Sequence, residues 1–317
     1  MAIRVQGKTQ FHLPEQRSRF SLTAFVKRHQ VATYFALTFI ISWGGVLVVA
    51  GPGGLASGKT FDVPHMAFAY PFMLAGPSLA GILLTGLVSG RAGLRELLSR
   101  LLRWRVGVRW YVVALLTAPL AMLAVLLALS LISSQFFPRT FASNDKAFLI
   151  SYGITSGLAV GIFQELGWTG FAVHTMLRRR HGVFLTGLIV GLVFAAWNGL
   201  VVYWSNGATS ASGGLPLAIY LPAVLFTWLP AYRVLMVWVY DRTWSLVVAM
   251  LMGMSYSCCT LFIGATQALT GVHLVTFYLV LTVALWATVA AVAAVNRGKL
   301  SQVEPVSSPV LATQSDR

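Results

Sequence analysis

Between Val31 and Asn296 the chain repeats one pattern: a run of roughly 20 apolar residues, almost free of charge, closed by a short polar or basic stretch. A helix rising 1.5 Å per residue needs about 20 residues to cross a hydrocarbon core of about 30 Å. Hydrocarbon offers the backbone nothing to bond, so each run must satisfy its own peptide groups as a helix. Eight spans are expected, near residues 31–50, 66–90, 110–132, 147–173, 183–204, 215–240, 244–264 and 272–295. The expected fold class is all-α, a polytopic membrane protein with about eight transmembrane helices in one bundle. Only 10% of the residues are charged and 57% are hydrophobic, whereas a soluble domain carries about 25% charged residues; a water-soluble enzyme is excluded. The two cysteines, Cys258 and Cys259, are neighbours, which excludes a disulfide framework and a Cys-x-x-Cys metal site.

Three segments follow from this pattern. Residues 1–30 carry six basic side chains and no apolar stretch before the first span, so they are expected to form a cytoplasmic basic arm rather than a cleaved signal peptide. Residues 31–296 form the transmembrane domain. Residues 297–317, with Pro305, Pro309 and several serines, have too little apolar content to repay ordering and are expected to be a disordered cytoplasmic tail.

The net charge of +15 raises the question of nucleic acid, and the placement of the charge answers it. Of the 23 Lys and Arg residues, 20 lie in the two termini and in every second loop, and 3 in the alternate loops. That asymmetry is the positive-inside pattern and puts both termini in the cytoplasm. Six arginines from Arg91 to Arg109 interleave with Leu94, Leu97, Leu98, Leu101, Leu102 and Trp104, a pattern suited to a helix lying on an anionic leaflet. Membrane lipid is the expected partner of this segment, and nucleic acid is not.

The fourth expected span ends in Phe163-Gln164-Glu165-Leu166-Gly167-Trp168-Thr169-Gly170-Phe171, followed by Arg178, Arg179 and Arg180. Further on come Phe194-Ala195-Ala196-Trp197-Asn198, Tyr240-Asp241-Arg242-Thr243-Trp244-Ser245-Leu246 and Gly253-Met254-Ser255-Tyr256-Ser257. Earlier stretches, Gly76-Pro77-Ser78 and Gly90 to Arg95, fit the same wording. In order and spacing these motifs resemble the CPBP family, the CAAX proteases and bacteriocin-processing enzymes, over residues 35–262. The resemblance implies a helical intramembrane protease fold in a bacterial plasma membrane. In that family the motif EExxxR and the histidine of FxxxH are thought to activate water, and a later histidine and asparagine hold the oxyanion. Here Gln164, Thr169, Asn198, Gly253 and Ser257 stand at the substituted positions, and Glu165 alone remains of the ionisable set.

Counting back from the cytoplasmic ends, Gln164, Asn198 and Gly253 lie at depths of about 21, 26 and 17 Å, one layer near mid-membrane. Gln164, Glu165, Thr169, Asn198, Ser255 and Ser257 are therefore candidates for a common polar patch. Neither Gln164 nor Asn198 titrates in a useful range, so water activation by the family's route is lost. None of the six histidines lies in that layer, and Glu165 by itself cannot hold a catalytic ion; no metal and no cofactor are expected. An ionisable side chain within a span is costly, which makes Glu165 the candidate catalytic residue if any chemistry survives. Arg233 lies about 14 Å deep and Glu165 about 20 Å, within reach of an ion pair that would replace the arginine missing at Thr169; the competing expectation is that Arg233 snorkels to the interface past Pro230. The leading functional expectation is a pseudoprotease that binds a peptide or membrane-protein client. The alternatives are an active intramembrane endopeptidase working around Glu165, and a transporter, which a single acidic residue in the spans supports weakly.

Overall fold

The computed structural model describes residues 22–54, 69–138, 146–205, 212–267, 269–296 and 300. The expected tail lies outside the described residues apart from Leu300, as does the arm up to residue 21. The regular structure described is entirely helical. Its elements are α1 (Leu22–Arg28), α2 (Gln30–Gly54), α3 (Ala69–Leu101), α4 (Val108–Ser130), α5 (Lys146–Gly167), α6 (His174–Arg178), α7 (Val183–Ser205), α8 (Leu217–Leu221), α9 (Leu229–Thr243), α10 (Leu246–Gln267) and α11 (Gly271–Val295). Wider π-helical turns continue α5 into α6 over Trp168–Val173 and α8 toward α9 over Pro222–Phe226.

Among the described residues, six helical segments are long and apolar enough to cross a membrane: Gln30–Val49, Ala69–Leu101, Val108–Ser130, Val183–Leu200, Leu217–Thr243 and Gly271–Val295; Leu246–Phe262 is apolar but shorter. The chain is an integral, multi-pass membrane protein.

Small residues set how closely these helices pack. Gly157 and Gly161 face α10 so tightly that a Cβ at Gly161 would lie 2.5 Å from the Met250 carbonyl oxygen, and one at Gly157 would lie 2.9 Å from that of Met254. On α7, a Cβ at Gly187 or Gly191 would come within 2.5 Å of the α9 backbone at Val234 or Pro230. Lipid tails are as apolar as leucine, so close backbone approach and dispersion hold such a bundle together where water exclusion cannot. The result wraps α9 completely: all its residues except Trp238 and Arg242 are buried.

Two prolines inside spans leave specific bonds to be made elsewhere. Pro77 has no N–H, so the Met73 carbonyl one turn earlier loses its helical donor; Ser42 of α2 donates to it at 3.0 Å. Pro119 does the same to Leu115 on α4, and Ser255 of α10 donates to that carbonyl at 2.7 Å. Ser255 is thus engaged with α4, which corrects its expected place in the polar patch.

The basic segment after the second span also departs from expectation. It is not one continuous surface helix. Gly90, at φ 60°, breaks α3, and the helix beyond ends at Leu101. Ser245 then takes the Arg103 carbonyl at 2.5 Å and the Tyr111 hydroxyl takes that of Trp104, so the chain turns and enters α4.

Candidate functional site

Four elements meet at Glu165. It sits near the end of α5, one turn before the helix widens into its π-helical segment, in which the His174 N–H reaches back to the Thr169 carbonyl. Arg233, on the enclosed α9, brings Nη1 to 2.8 Å from Glu165 Oε2 and Nη2 to 2.8 Å from Oε1. Each side chain is 3% exposed. Thr169, four residues after Glu165 and therefore on the same face, donates its hydroxyl to Oε2 at 2.5 Å. Phe194 of α7 lies beneath the guanidinium, its ring centroid 4.0 Å from the Arg233 carbon. Gly253 of α10 closes the fourth side: a Cβ there would stand 3.0 Å from Glu165 Cγ.

This arrangement is a matter of electrostatics. A carboxylate taken from water into hydrocarbon costs several kcal/mol, and only close opposite charge with well-made hydrogen bonds offsets it. The planar arginine fork supplies two parallel contacts and Thr169 a third. The quadrupole of Phe194 adds attraction for the cation. Beyond it the wall is aromatic: Trp168 meets Phe194 edge-on with centroids 5.4 Å apart, and Tyr34 meets Trp168 at 5.6 Å. Both Trp168 and Tyr34 are fully buried.

The other sequence candidates scatter around this centre. Gln164 is buried beside Glu165, but among the described residues no hydrogen bond joins its amide to Glu165, Arg233 or Asn198. Asn198 turns its amide back along its own helix and donates to the Phe194 carbonyl at 2.9 Å. Ser257 is buried one turn beyond Gly253. The structure therefore gathers Glu165, Thr169, Arg233 and Gly253, with Phe194, and leaves Ser255 of α10 bonded to the Leu115 carbonyl of α4. Among the described residues no three His, Cys, Asp or Glu side chains come together to hold a metal ion.

A second polar network lies on the same helical run, beyond the apolar stretch. The Arg100 guanidinium donates from Nη1 to the Gly170 carbonyl of the π-helical segment and to the Tyr240 hydroxyl, both at 2.9 Å. Tyr240 lies 3.3 Å from His174 Nδ1, and His174 Nε2 lies 3.2 Å from Glu96. Burial, with the Arg100 and Arg178 charges, pushes the His174 pKa down from its usual 6.5 to about 3. The ring is then neutral at physiological pH, and the network assigns its tautomer: Nδ1 accepts from Tyr240 and Nε2–H donates to Glu96. Because both ring nitrogens are taken, His174 is a bracing residue rather than a free base. Sequence reading missed this network, since its members are 4, 66 and 140 residues apart in pairs and no local motif joins them.

Chemically, the Glu165 carboxylate is engaged by Arg233 and Thr169 and closed off from solvent, and Thr169, Phe194 and Gly253 carry no group that could serve as a general base. It can hold helices in register. No family model matches the chain, and no curated protein matches it.

Proposed function

We propose that the chain is a catalytically degenerate relative of the CPBP intramembrane proteases, which keeps the helical scaffold and binds a peptide or membrane-protein client without cleaving it. The order and spacing of the quoted motifs support the family. The state of Glu165 carries the loss of activity. A general base must accept a proton in the transition state from within hydrogen-bond reach. Glu165 already accepts three close contacts, two of them from the Arg233 guanidinium, and it is closed off from solvent. Gly253, at the position where the resemblance calls for a histidine, leaves just the space that Glu165 occupies. In this reading the ancestral reaction centre has become an internal ion-pair brace. Eight spans in a bacterial plasma membrane, the latter as the resemblance implies, complete the proposal, and the 20-to-3 basic asymmetry of the loops supports both termini in the cytoplasm.

A photo-crosslinking amino acid at Asn198, half-buried and one turn from the Phe194 wall, tests client binding in native membranes. The proposal expects a discrete protein or peptide adduct from Asn198 that is missing from a lipid-facing control at Leu83. Identical adduct patterns at the two positions would contradict it.

A further inference from the structure

The segment between Gly90 and Val108 carries more exposed charge than its role as a connection requires. The run Ala69–Ser89 is 21 residues long, enough to cross a hydrocarbon core of about 30 Å. The next span begins at Val108. Residues 91–107 therefore lie at one membrane surface by connectivity alone, and the positive φ of Gly90 is the corner that turns the chain there.

The faces of this short helix are sorted. Gly93, Leu97 and Arg100 are buried against the bundle, where Leu97 packs on Leu246 and Met250 and Arg100 is consumed by Gly170 and Tyr240. Leu94, Leu98 and Leu102 recur every fourth residue and form a second, exposed stripe, with Leu98 52% exposed and the adjoining Trp104 59%. Arg91 and Arg95 sit beside that stripe, and Arg103, Arg105 and Arg109 continue past it, all of them exposed. Arg105 stacks on the ring of Trp104 at 5.0 Å. Glu96, the sole acid between Gly90 and Val108, faces His174. An apolar stripe flanked by five unneutralised arginines, held at a membrane surface by a rigid attachment to the bundle, matches one kind of surface in both its parts: acyl chains beneath anionic headgroups.

We infer that residues 91–109 form an interfacial foot that binds anionic phospholipid, with Leu94, Leu98, Leu102 and Trp104 in the acyl boundary and Arg91, Arg95, Arg103, Arg105 and Arg109 on the phosphodiesters. The inference rests on the membrane-spanning architecture and is independent of the family reading. Nucleic acid would engage the arginines and leave the leucine stripe in water. A protein partner would compete with lipid at Leu98.

The test places a photo-crosslinking amino acid at Leu98 in the full-length chain, reconstituted in bilayers of equal phosphatidylglycerol and phosphatidylcholine, with adducts identified by mass spectrometry and the same probe at Leu83 as reference. Leu98 is expected to capture lipid, with phosphatidylglycerol enriched at least about fivefold over the Leu83 ratio. The combination Arg91→Gln, Arg95→Gln and Arg105→Gln is expected to return the ratio to that of Leu83, while the three corresponding Lys substitutions preserve the enrichment. All are exposed positions, so the fold is not at stake. No lipid adduct at Leu98, a ratio equal to that at Leu83, or an enrichment untouched by the Gln substitutions would each overturn the inference.

Discussion

Removing one partner of the Glu165–Arg233 pair is the perturbation whose outcome the structure sets most tightly. Arg233→Met takes away two of the three contacts on a carboxylate that is 3% exposed, leaving only the Thr169 hydroxyl. Breaking a buried pair in this way costs about 3–5 kcal/mol, and the surviving hydrogen bond recovers about 1 kcal/mol, so a loss of roughly 2–4 kcal/mol is expected. Glu165→Met strands the guanidinium instead, but over Phe194 at 4.0 Å, where the ring recovers up to about 2 kcal/mol; its loss should be the smaller of the two, roughly 1–3 kcal/mol. The double replacement Glu165→Met/Arg233→Met removes both charges and fills similar volume, and apolar replacement of a buried pair is often neutral. It should fall within about 1–2 kcal/mol of the parent. The coupling energy should therefore be at least about 1 kcal/mol, measured by reversible unfolding in mixed detergent micelles or by steric trapping in bilayers. Single variants within about 0.5 kcal/mol of the parent, or a double variant equal to the sum of the singles, would refute the electrostatic account of this centre.

Ser42→Ala and Ser255→Ala should each cost about 0.5–1.5 kcal/mol by stranding a carbonyl freed by proline, and Ser42→Ala should be largely rescued by Pro77→Ala, which restores the missing N–H; additive losses in the unfolding assay would contradict this. The depressed His174 pKa means that the unfolded chain binds a proton between pH 6.5 and about 3 that the folded chain does not, so stability should fall as pH drops below 6.5, with a contribution of up to about 1.4 kcal/mol per pH unit. His174→Gln should flatten that slope in an unfolding titration, and an unchanged slope would sink the assignment. Reporter fusions after Arg180 and Arg297 should read cytoplasm and one at Gly207 the opposite side; Arg180 and Gly207 on one side would contradict the topology.

The helical architecture was legible because hydrocarbon allows little else: apolar length by itself marks most spans, and the chain's breaks fall at Gly90 and near its prolines. The exact extent of the spans was less legible. The π-helical turns at Trp168–Val173 and Pro222–Phe226 depend on how neighbouring helices dock, which no periodicity encodes, and they shift helix ends by several residues. At the candidate site, helical rise put Glu165 and Arg233 at neighbouring depths without saying which faces they share. That depends on α9 being enclosed by four neighbours, so that Arg233 has no interface to snorkel to. The polar residues show the same limit. Depth grouped Ser255 and Asn198 with Glu165, but rotation about the helix axis decides contact, and it turns Ser255 to the carbonyl freed by Pro119 and Asn198 to its own helix. The Arg100–Tyr240–His174–Glu96 network carried no sequence signal beyond four polar residues near span ends, where polar residues are ordinary.

The most direct test of the central claim is a cleavage assay on the purified, reconstituted protein, offered prenylated and unprenylated peptides and membrane-anchored segments, with products read by mass spectrometry against the Glu165→Gln variant. The account predicts no product above that of the variant, because the Glu165 carboxylate is bound to Arg233 and Thr169, and Thr169, Phe194 and Gly253 beside it cannot take a proton from water. Cleavage by the parent chain that Glu165→Gln abolishes would contradict it.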